Sequence, residues 1–328
     1  VGKGLRIDWL IFQRKIEARI MSFDLKRGMD QPLYTFQPMP MRPSLAWPQA
    51  SPLAVSVVLY LDYWELATAP GQHRPPDVQG MWGHQYPDLR TYSYRLYGER
   101  VGVFRILDVL KRHGIIATVA AGSEICKRYP QIIEACVTAG HEIAAHGTHA
   151  TRMITSRMSE QEERAHIELS RQAIFAVTGT MPKGWFGQDQ GESTRTPDLV
   201  SEAGFEYLAD WPNDDQPYWL TIKKPIVSMP LHTELDDMQL LWMRQQPTWK
   251  YPTMVEHAAQ QLIQDGKLHA RVLSLGLHSW LFGRPHRIRY LDESFKNLKA
   301  QQSIWQASTN DIVQAYKTAI PYSQTQSN

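Results

Sequence analysis

The chain has little that would tie it to nucleic acid, a bilayer or an oxidising compartment. Its 328 residues carry a net charge of only +2, and no block of Lys and Arg interleaves with aromatics, so a footprint for a phosphate backbone is missing. No apolar run is long enough to cross a bilayer. The patch Asp8-Trp9-Leu10-Ile11-Phe12 is short, interrupted by charge and followed by no small-residue cleavage pattern, which argues against a secretory leader. Residues before Met21 are set aside as a tag, a leader or an upstream extension of the frame. The two cysteines, Cys126 and Cys136, lie on one helical segment and read as small core residues, so a disulfide framework is excluded. Internal repeats and low-complexity tracts are lacking as well. What remains is a chain long enough to bury a sizeable core, expected in the cytoplasm, with a small molecule rather than nucleic acid or membrane as its partner.

What is there alternates between strand and helix. Residues 21–50, rich in Pro and Met, read as an arm that wraps the domain or a neighbouring subunit, which suggests a homo-oligomer. Leu53 to Leu61 is a strong strand ending at Asp62-Tyr63-Trp64-Glu65. Thr68 to Arg90, with Trp82 and Tyr86, reads as a long functional loop, a lid or pocket wall to which Tyr92 also contributes. Tyr97 to His113 is an amphipathic helix, Ile115 to Ala120 a strand, and Glu124 to Ala139 a helix closed by Gly140. A short strand then delivers His146. Ser159 and Glu162 form a capping box for a helix that runs to Thr178 and stops at Gly179. Lys183-Gly184-Trp185-Phe186-Gly187 is a strand-to-loop turn, Thr196 to Gly204 a helix, and Phe205 to Ala209 a strand running into Asp210-Trp211-Pro212-Asn213-Asp214-Asp215. Ile226 to Leu231 is a strand followed by Glu234, Asp236 and Asp237. Thr253 to Gly266 is helical, and Arg271 to Leu277 is a strand ending at His278. This order predicts a parallel α/β fold, a closed or nearly closed barrel, with residues 1–50 as extension and arm, 51–320 as a single catalytic domain and 321–328 as a tail.

Five strands end in polar or aromatic groups: Asp62 with Glu65, His146 with His149, Trp185, Asp210 with Asp214 and Asp215, and His278. Hydrophobic packing explains the strands but not titratable groups recurring at the same end of each. A site converging at the C-terminal mouth does, and two carboxylates with two imidazoles suit hydrolysis, in which a base activates water and an acid protonates the leaving atom.

Gly140-His141-Glu142-Ile143-Ala144-Ala145-His146-Gly147, Gly184-Trp185-Phe186-Gly187, Ala203-Gly204-Phe205-Glu206-Tyr207, Asp214-Asp215-Gln216-Pro217-Tyr218 and the run from His278 to Arg287 together resemble the polysaccharide deacetylase (NodB-homology) superfamily. Within it the chain is most similar to the branch of PuuE-type allantoinase and related cyclic-amide hydrolases. The resemblance spans roughly residues 50 to 320. It implies a distorted (β/α) barrel and hydrolysis of a carbon–nitrogen bond other than a peptide bond, in a small amide, ureide or cyclic imide. The chain departs from the sugar deacetylases in three places. Asp62 is followed by Tyr63 rather than a second aspartate, the second metal-motif histidine is Ala150, and Lys183-Gly184-Trp185-Phe186-Gly187 replaces their Arg-Pro-Pro segment. No cofactor is therefore favoured, although Asp62, His146 and His149 could hold a divalent metal such as Zn²⁺.

The roles implied are Asp62 or Glu65 as general base and His278 or His146 as acid. Trp185, Trp211 and Tyr218 would line the pocket, Asp214 and Asp215 would accept hydrogen bonds from substrate or pair with Arg284 or Arg287, and Arg284 would support His278 or reach a substrate carboxylate. Two rival readings stand beside this one: a metal-dependent carbohydrate N-deacetylase, and a catalytically inactive barrel kept as a binding protein.

Overall fold

The first long strand forms where the sequence predicts it, and its two faces go to different places. Leu53–Leu61 (β1) is buried along its whole length. Leu53, Val55, Val57, Leu59 and Leu61 join the layer between sheet and helices, whereas Ala54, Val58 and Tyr60 point into the barrel interior. Side chains alternate along a strand, so a parallel strand covered on both faces reads as one unbroken apolar run. The computed structural model describes residues 30–66 and 88–322. The expected lid, with Trp82 and Tyr86, lies outside the described residues as far as position 87.

Leu89–Tyr97 (α1) and Val103–His113 (α2) are joined by a π-helical turn over Gly98–Gly102. The helix predicted from Tyr97 onward begins earlier because Asp88 accepts the Thr91 N–H as a cap. The two glycines let the turn press on Ser279, whose carbonyl oxygen would stand 2.1 Å from a Cβ on Gly102. After Thr118–Ala121 (β2), one predicted helix is two, Ser123–Arg128 (α3) and Pro130–Thr138 (α4). Pro130 has no N–H to continue the first helix and is well placed to open the second. Glu142–Ala145 (β3) precedes Glu160–Thr178 (α5), which carries the predicted Ser159/Glu162 capping box and ends at left-handed Gly179. Gly184–Trp185 (β4), Thr196–Glu202 (α6), Tyr207–Leu208 (β5), Tyr218–Trp219 (β6) and Val227–Ser228 (β7) follow. Tyr251–Asp265 (α7), Arg271–His278 (β8), Ser279–Phe282 (α8), Ile288–Ala300 (α9), Ile304–Gln306 (β9) and Thr309–Ala319 (α10) complete the order.

The strands pair in the order β6-β7-β5-β4-β3-β2-β1-β8, parallel except for the antiparallel β6–β7 pair. β9 pairs with β1 over Leu53–Val55, and β2 pairs with it over Val58–Leu61. The ladder stays open between β6 and β8. Across this seam the Asp215 carbonyl accepts the Val272 N–H at 2.8 Å, and Ser274 Oγ accepts the His232 N–H at 2.7 Å. The result is the distorted α/β barrel, opened along one side. The described part of the arm covers the seam: the Leu33 carbonyl accepts the Thr221 N–H, the Leu45 carbonyl accepts the Ala270 N–H, and Arg42 grips Asp214 with both terminal nitrogens. Ile312, Val313 and Tyr316 of α10 fill the interior beside the first half of β1, where Thr309 and Ser56 share a hydroxyl hydrogen bond of 2.8 Å. The C-terminal ends of the strands are thus the end left for a ligand. Among the described residues no helix is long and apolar enough to cross a membrane.

Candidate active site

Asp62 follows β1, His146 follows β3, Asp210 follows β5 and His278 closes β8. These strand ends converge on one cavity of about 60 Å³, with Tyr60 and Phe186 among its apolar lining. Parity explains the selection, because Tyr60 and Asp62 lie two apart on the inward face of β1, as Ser274, Gly276 and His278 do on β8.

Each imidazole is held by a partner that fixes one ring nitrogen. The Phe186 carbonyl can only accept, so His146 Nδ1–H donates to it at 2.8 Å, and Nε2 faces Asp62 Oδ1 at 3.2 Å. His278 Nδ1–H donates to Asp237 Oδ1 at 2.6 Å, and the backbone N–H of His278 donates to Oδ2 of the same carboxylate at 2.8 Å. Its Nε2 stands 3.9 Å from Asp62 Oδ2, too far for a direct hydrogen bond and the right span for a group to enter between them. The Tyr60 ring stacks on His278 at 4.8 Å and lies 5.2 Å from His146. Burial pulls the His278 pKa down, but the carboxylates of Asp237, Asp236 and Asp62 outweigh it and hold the ring at about 9. At neutral pH His278 is an imidazolium whose Nε2–H points at the cavity.

Two further carboxylates border the space. Asp236 accepts the Met238 N–H at 2.8 Å and lies over Gly276, where a Cβ would stand 2.0 Å from its Oδ2. Asp210 is buried, and its Oδ1 accepts the Gly187 N–H at 2.6 Å. The Glu192 carboxyl faces it. Burial and the Asp210 carboxylate push Glu192 far above the usual carboxylate range, so Glu192 stays protonated beside Asp210.

The other residues expected here lie elsewhere. Glu65 accepts the Thr151 hydroxyl at 2.6 Å and stands 3.4 Å from His149 Nε2, so these two pair with one another instead of joining Asp62 and His146. Trp185 does not line the pocket. It is fully buried on the helix side, edge-on to Phe205 at 5.7 Å and His166 at 6.2 Å, because in a strand the next residue, Phe186, takes the inward face. Trp211 packs on Tyr34 of the arm at 5.7 Å. Asp214, Asp215 and Tyr218 are not at the mouth either, since the loop after β5 turns down into the seam and lines a separate, larger cavity beneath the arm. There Asp214 pairs with Arg42, not with Arg284 or Arg287, Asp215 lies 3.4 Å from His232, and the Tyr218 hydroxyl donates to Asn213 at 2.9 Å. Arg284 donates to the Tyr94 and Trp280 carbonyls and stacks on Tyr94 and Tyr97, which ties α1 to α8. Asp236, Asp237, Gln188 and Glu192 are site residues to which sequence reasoning assigns no role.

The donor set decides whether a cation fits. Asp62 Oδ1 and His146 Nε2 have the mutual distance of two ligands on one Zn²⁺, whose bonds run about 2.0–2.2 Å. The third position of the sugar-deacetylase motif holds the buried methyl of Ala150, and His149 is engaged by Glu65. Asp236, Asp237 and His278 also bring ligand atoms within 4.8 Å of one another, but both Asp237 oxygens are taken by His278. The acid and histidine groups are present, yet neither grouping offers the three free donors of a catalytic zinc.

Comparison with known proteins finds relatives of the same fold. A model of the polysaccharide deacetylase family matches residues 97–208, the span from the π turn to β5 that includes His146, Trp185 and Phe186. A Schizosaccharomyces pombe protein named as a polysaccharide deacetylase is 28% identical over 250 residues, covering 69% of this chain and 76% of that protein. Over these spans the chain is similar to the polysaccharide deacetylase superfamily. A Pseudomonas aeruginosa PAO1 structure described as a polysaccharide deacetylase superposes with a TM-score of 0.76 at 28% identity, covering 86% of this chain and 96% of that one. The structure of PuuE allantoinase superposes with a TM-score of 0.78 at 27% identity, covering 91% of this chain and all of that one, 100%. With these neighbours, the chain is a hydrolase of non-peptide carbon–nitrogen bonds.

Proposed function

We propose that the protein hydrolyses a small amide, ureide or cyclic imide with its own side chains as acid and base. The observation that carries this reading is the Asp237–His278–Asp62 line, with contacts of 2.6 Å and 3.9 Å. Glu65 is occupied by Thr151 and His149, so Asp62 is the base. His146 Nδ1 is committed to the Phe186 carbonyl, so its part is to orient Asp62, and His278 is the acid. Water between Asp62 and the substrate carbonyl gives a proton to Asp62 as its oxygen attacks the carbon. The tetrahedral adduct then collapses, the carbon–nitrogen bond breaks, and His278 Nε2–H passes its proton to the departing nitrogen. Asp62 returns its proton through solvent to His278, and acid and amine leave. Ala150 and the Glu65–His149 pair support a reaction without a resident metal. The family model keeps a metal-dependent carbohydrate N-deacetylase as the second reading.

A panel of amides, ureides, cyclic imides and N-acetylated chitooligosaccharides tests this on purified protein, with ammonia, acetate or ring-opened acid as readout and metal content measured in parallel. The expected result is turnover of a small amide or imide that survives chelation and is lost in Asp62→Asn with the fold intact. Acetate release from the oligosaccharide alone, lost on chelation and restored by Zn²⁺, would establish the second reading instead. A folded protein that turns over nothing on the panel would leave the inactive barrel.

A further inference from the structure

The loop after β4 contains the groups that the reaction leaves unused. Gln188 is 2% exposed and lines the cavity. Its Nε2–H donates to the His146 carbonyl at 2.7 Å, and that carbonyl can only accept, so the amide is oriented with Oε1 on its other side. Gln188 Oε1 receives no hydrogen bond, although a buried carbonyl without a donor is uncommon in a folded protein. Asp210, itself 2% exposed, lines the same cavity. Gly187 donates to Oδ1, and Oδ2 has no hydrogen-bond partner among the described residues. The backbone between them is held in an unfavourable shape: Asp189 and Gln190, neither of them glycine, have φ of 53° and 56°. Strain of that kind persists where the surroundings enforce it and is concentrated at ligand sites. The enforcement is visible, because Glu163 at 0% exposure anchors the far end of the loop through the Ser193 and Thr196 hydroxyls.

We propose that Gln188 Oε1 and Asp210 form a wall that recognises N–H groups on the substrate, so that the site selects a carboxamide or ureido nitrogen carrying hydrogen over an ester or fully substituted amide of the same shape. This rests on the hydrolase reading above and narrows its substrate class. A cavity of about 60 Å³ accepts the reacting group rather than a whole sugar, since one water needs about 10–15 Å³ of such space. The wall flanks His146 and lies opposite β8, so a nitrogen read by Asp210 on one side can still face His278 Nε2 on the other. Gln188 and Asp210 are specificity-determining residues here; neither moves a proton in the reaction.

N-methylacetamide and methyl acetate differ only by N–H against O, and acetamide adds a second N–H. Their dissociation constants on the full-length protein, from ligand-observed NMR, test the wall without requiring turnover. Acetamide and N-methylacetamide are expected to bind, and methyl acetate about tenfold more weakly or worse, because a site built around N–H donors penalises an analogue lacking them. Asp210→Asn, which turns an acceptor edge into a donor, should bring the ester and the amide to within about threefold of each other, whereas Glu192→Gln, which keeps a donor toward Asp210, should leave the preference in place. Equal affinity of the wild-type protein for ester and amide, or no binding of N-methylacetamide at tens of millimolar, overturns the proposal, and neither result depends on a variant folding. A clear preference for the amide in a protein that hydrolyses nothing would refute the hydrolase reading while leaving the wall, and turnover with no such preference would do the reverse.

Discussion

Asp237→Asn is the substitution whose consequences can be worked furthest from the coordinates. Asparagine keeps the size and one oxygen to accept from His278, but the charge that offsets the burial of the imidazolium is gone. His278 should then fall from about 9 toward its ordinary 6.5, a loss of about 3 kcal/mol of preference for the charged ring at about 1.4 kcal/mol per pH unit. If the ring is the acid, its proton-bearing fraction at pH 6 changes by less than about twofold, whereas at pH 8 it drops roughly thirtyfold. The deficit in turnover should therefore widen as pH rises. Stability follows the same sign. The wild-type histidine has a raised folded pKa, so its stabilisation is full below about 6.5 and is lost as pH rises through about 9. The gap in thermal stability between wild type and variant should be largest at low pH and close above pH 9. Turnover against pH, melting temperature against pH and an NMR titration of His278 provide three readings of the same quantity. A wild-type His278 that titrates near 6.5, or a variant deficit of constant size from pH 6 to pH 8, would refute the reasoning.

Two further substitutions separate packing from site. Trp185→Phe removes part of a fully buried ring on the helix side of β4, so melting should fall by the equivalent of about 1–3 kcal/mol while KM stays unchanged; a changed KM with unchanged stability would place Trp185 back in the pocket. Gly276→Ala puts a methyl where Asp236 Oδ2 now sits, 2.0 Å away, and the carboxylate must leave its cap on Met238. An overpacking loss of about 1–3 kcal/mol in chemical denaturation and a lower kcat are expected, and a variant indistinguishable from wild type in both would show that Asp236 has no fixed place.

Much of this molecule could be read from its residues because the barrel repeats one local rule. A parallel strand buried on both faces is a continuous apolar run, so Leu53–Leu61 appears with its true limits, and a capping box with a left-handed glycine brackets Glu160–Thr178. Where a run ends, the next inward residue is at the mouth, which is why Asp62, His146 and His278 meet in one cavity. The rule weakens where strands are two residues long. At β4 nothing in Gly184-Trp185-Phe186 says which aromatic faces in, and the larger one goes to the helices. It fails outright for the loop after β5, whose composition resembles that of a mouth loop. Its direction is set by hydrogen bonds to residues far along the chain, Gln216 Nε2 to the Ala270 carbonyl and Val272 N–H to the Asp215 carbonyl.

The partner of His278 exposes the same limit from the other side. Asp237 lies 41 positions earlier, in a loop whose carboxylates are visible in the sequence but whose folding path is not. The usable signal is the doublet Asp236-Asp237 after a predicted strand: one carboxylate caps the following turn, which leaves the next, pointing the other way, free to turn inward. Gln188 carries no such signal, since a glutamine in a glycine-flanked loop reads as surface. Only its burial, its bond to the His146 carbonyl and its undonated oxygen mark it. Strand-end logic can therefore locate the carboxylate and imidazole groups that meet in this cavity, while the groups proposed to choose among substrates sit on loops whose shape is fixed by long-range contacts, and binding measurements are the test of that choice.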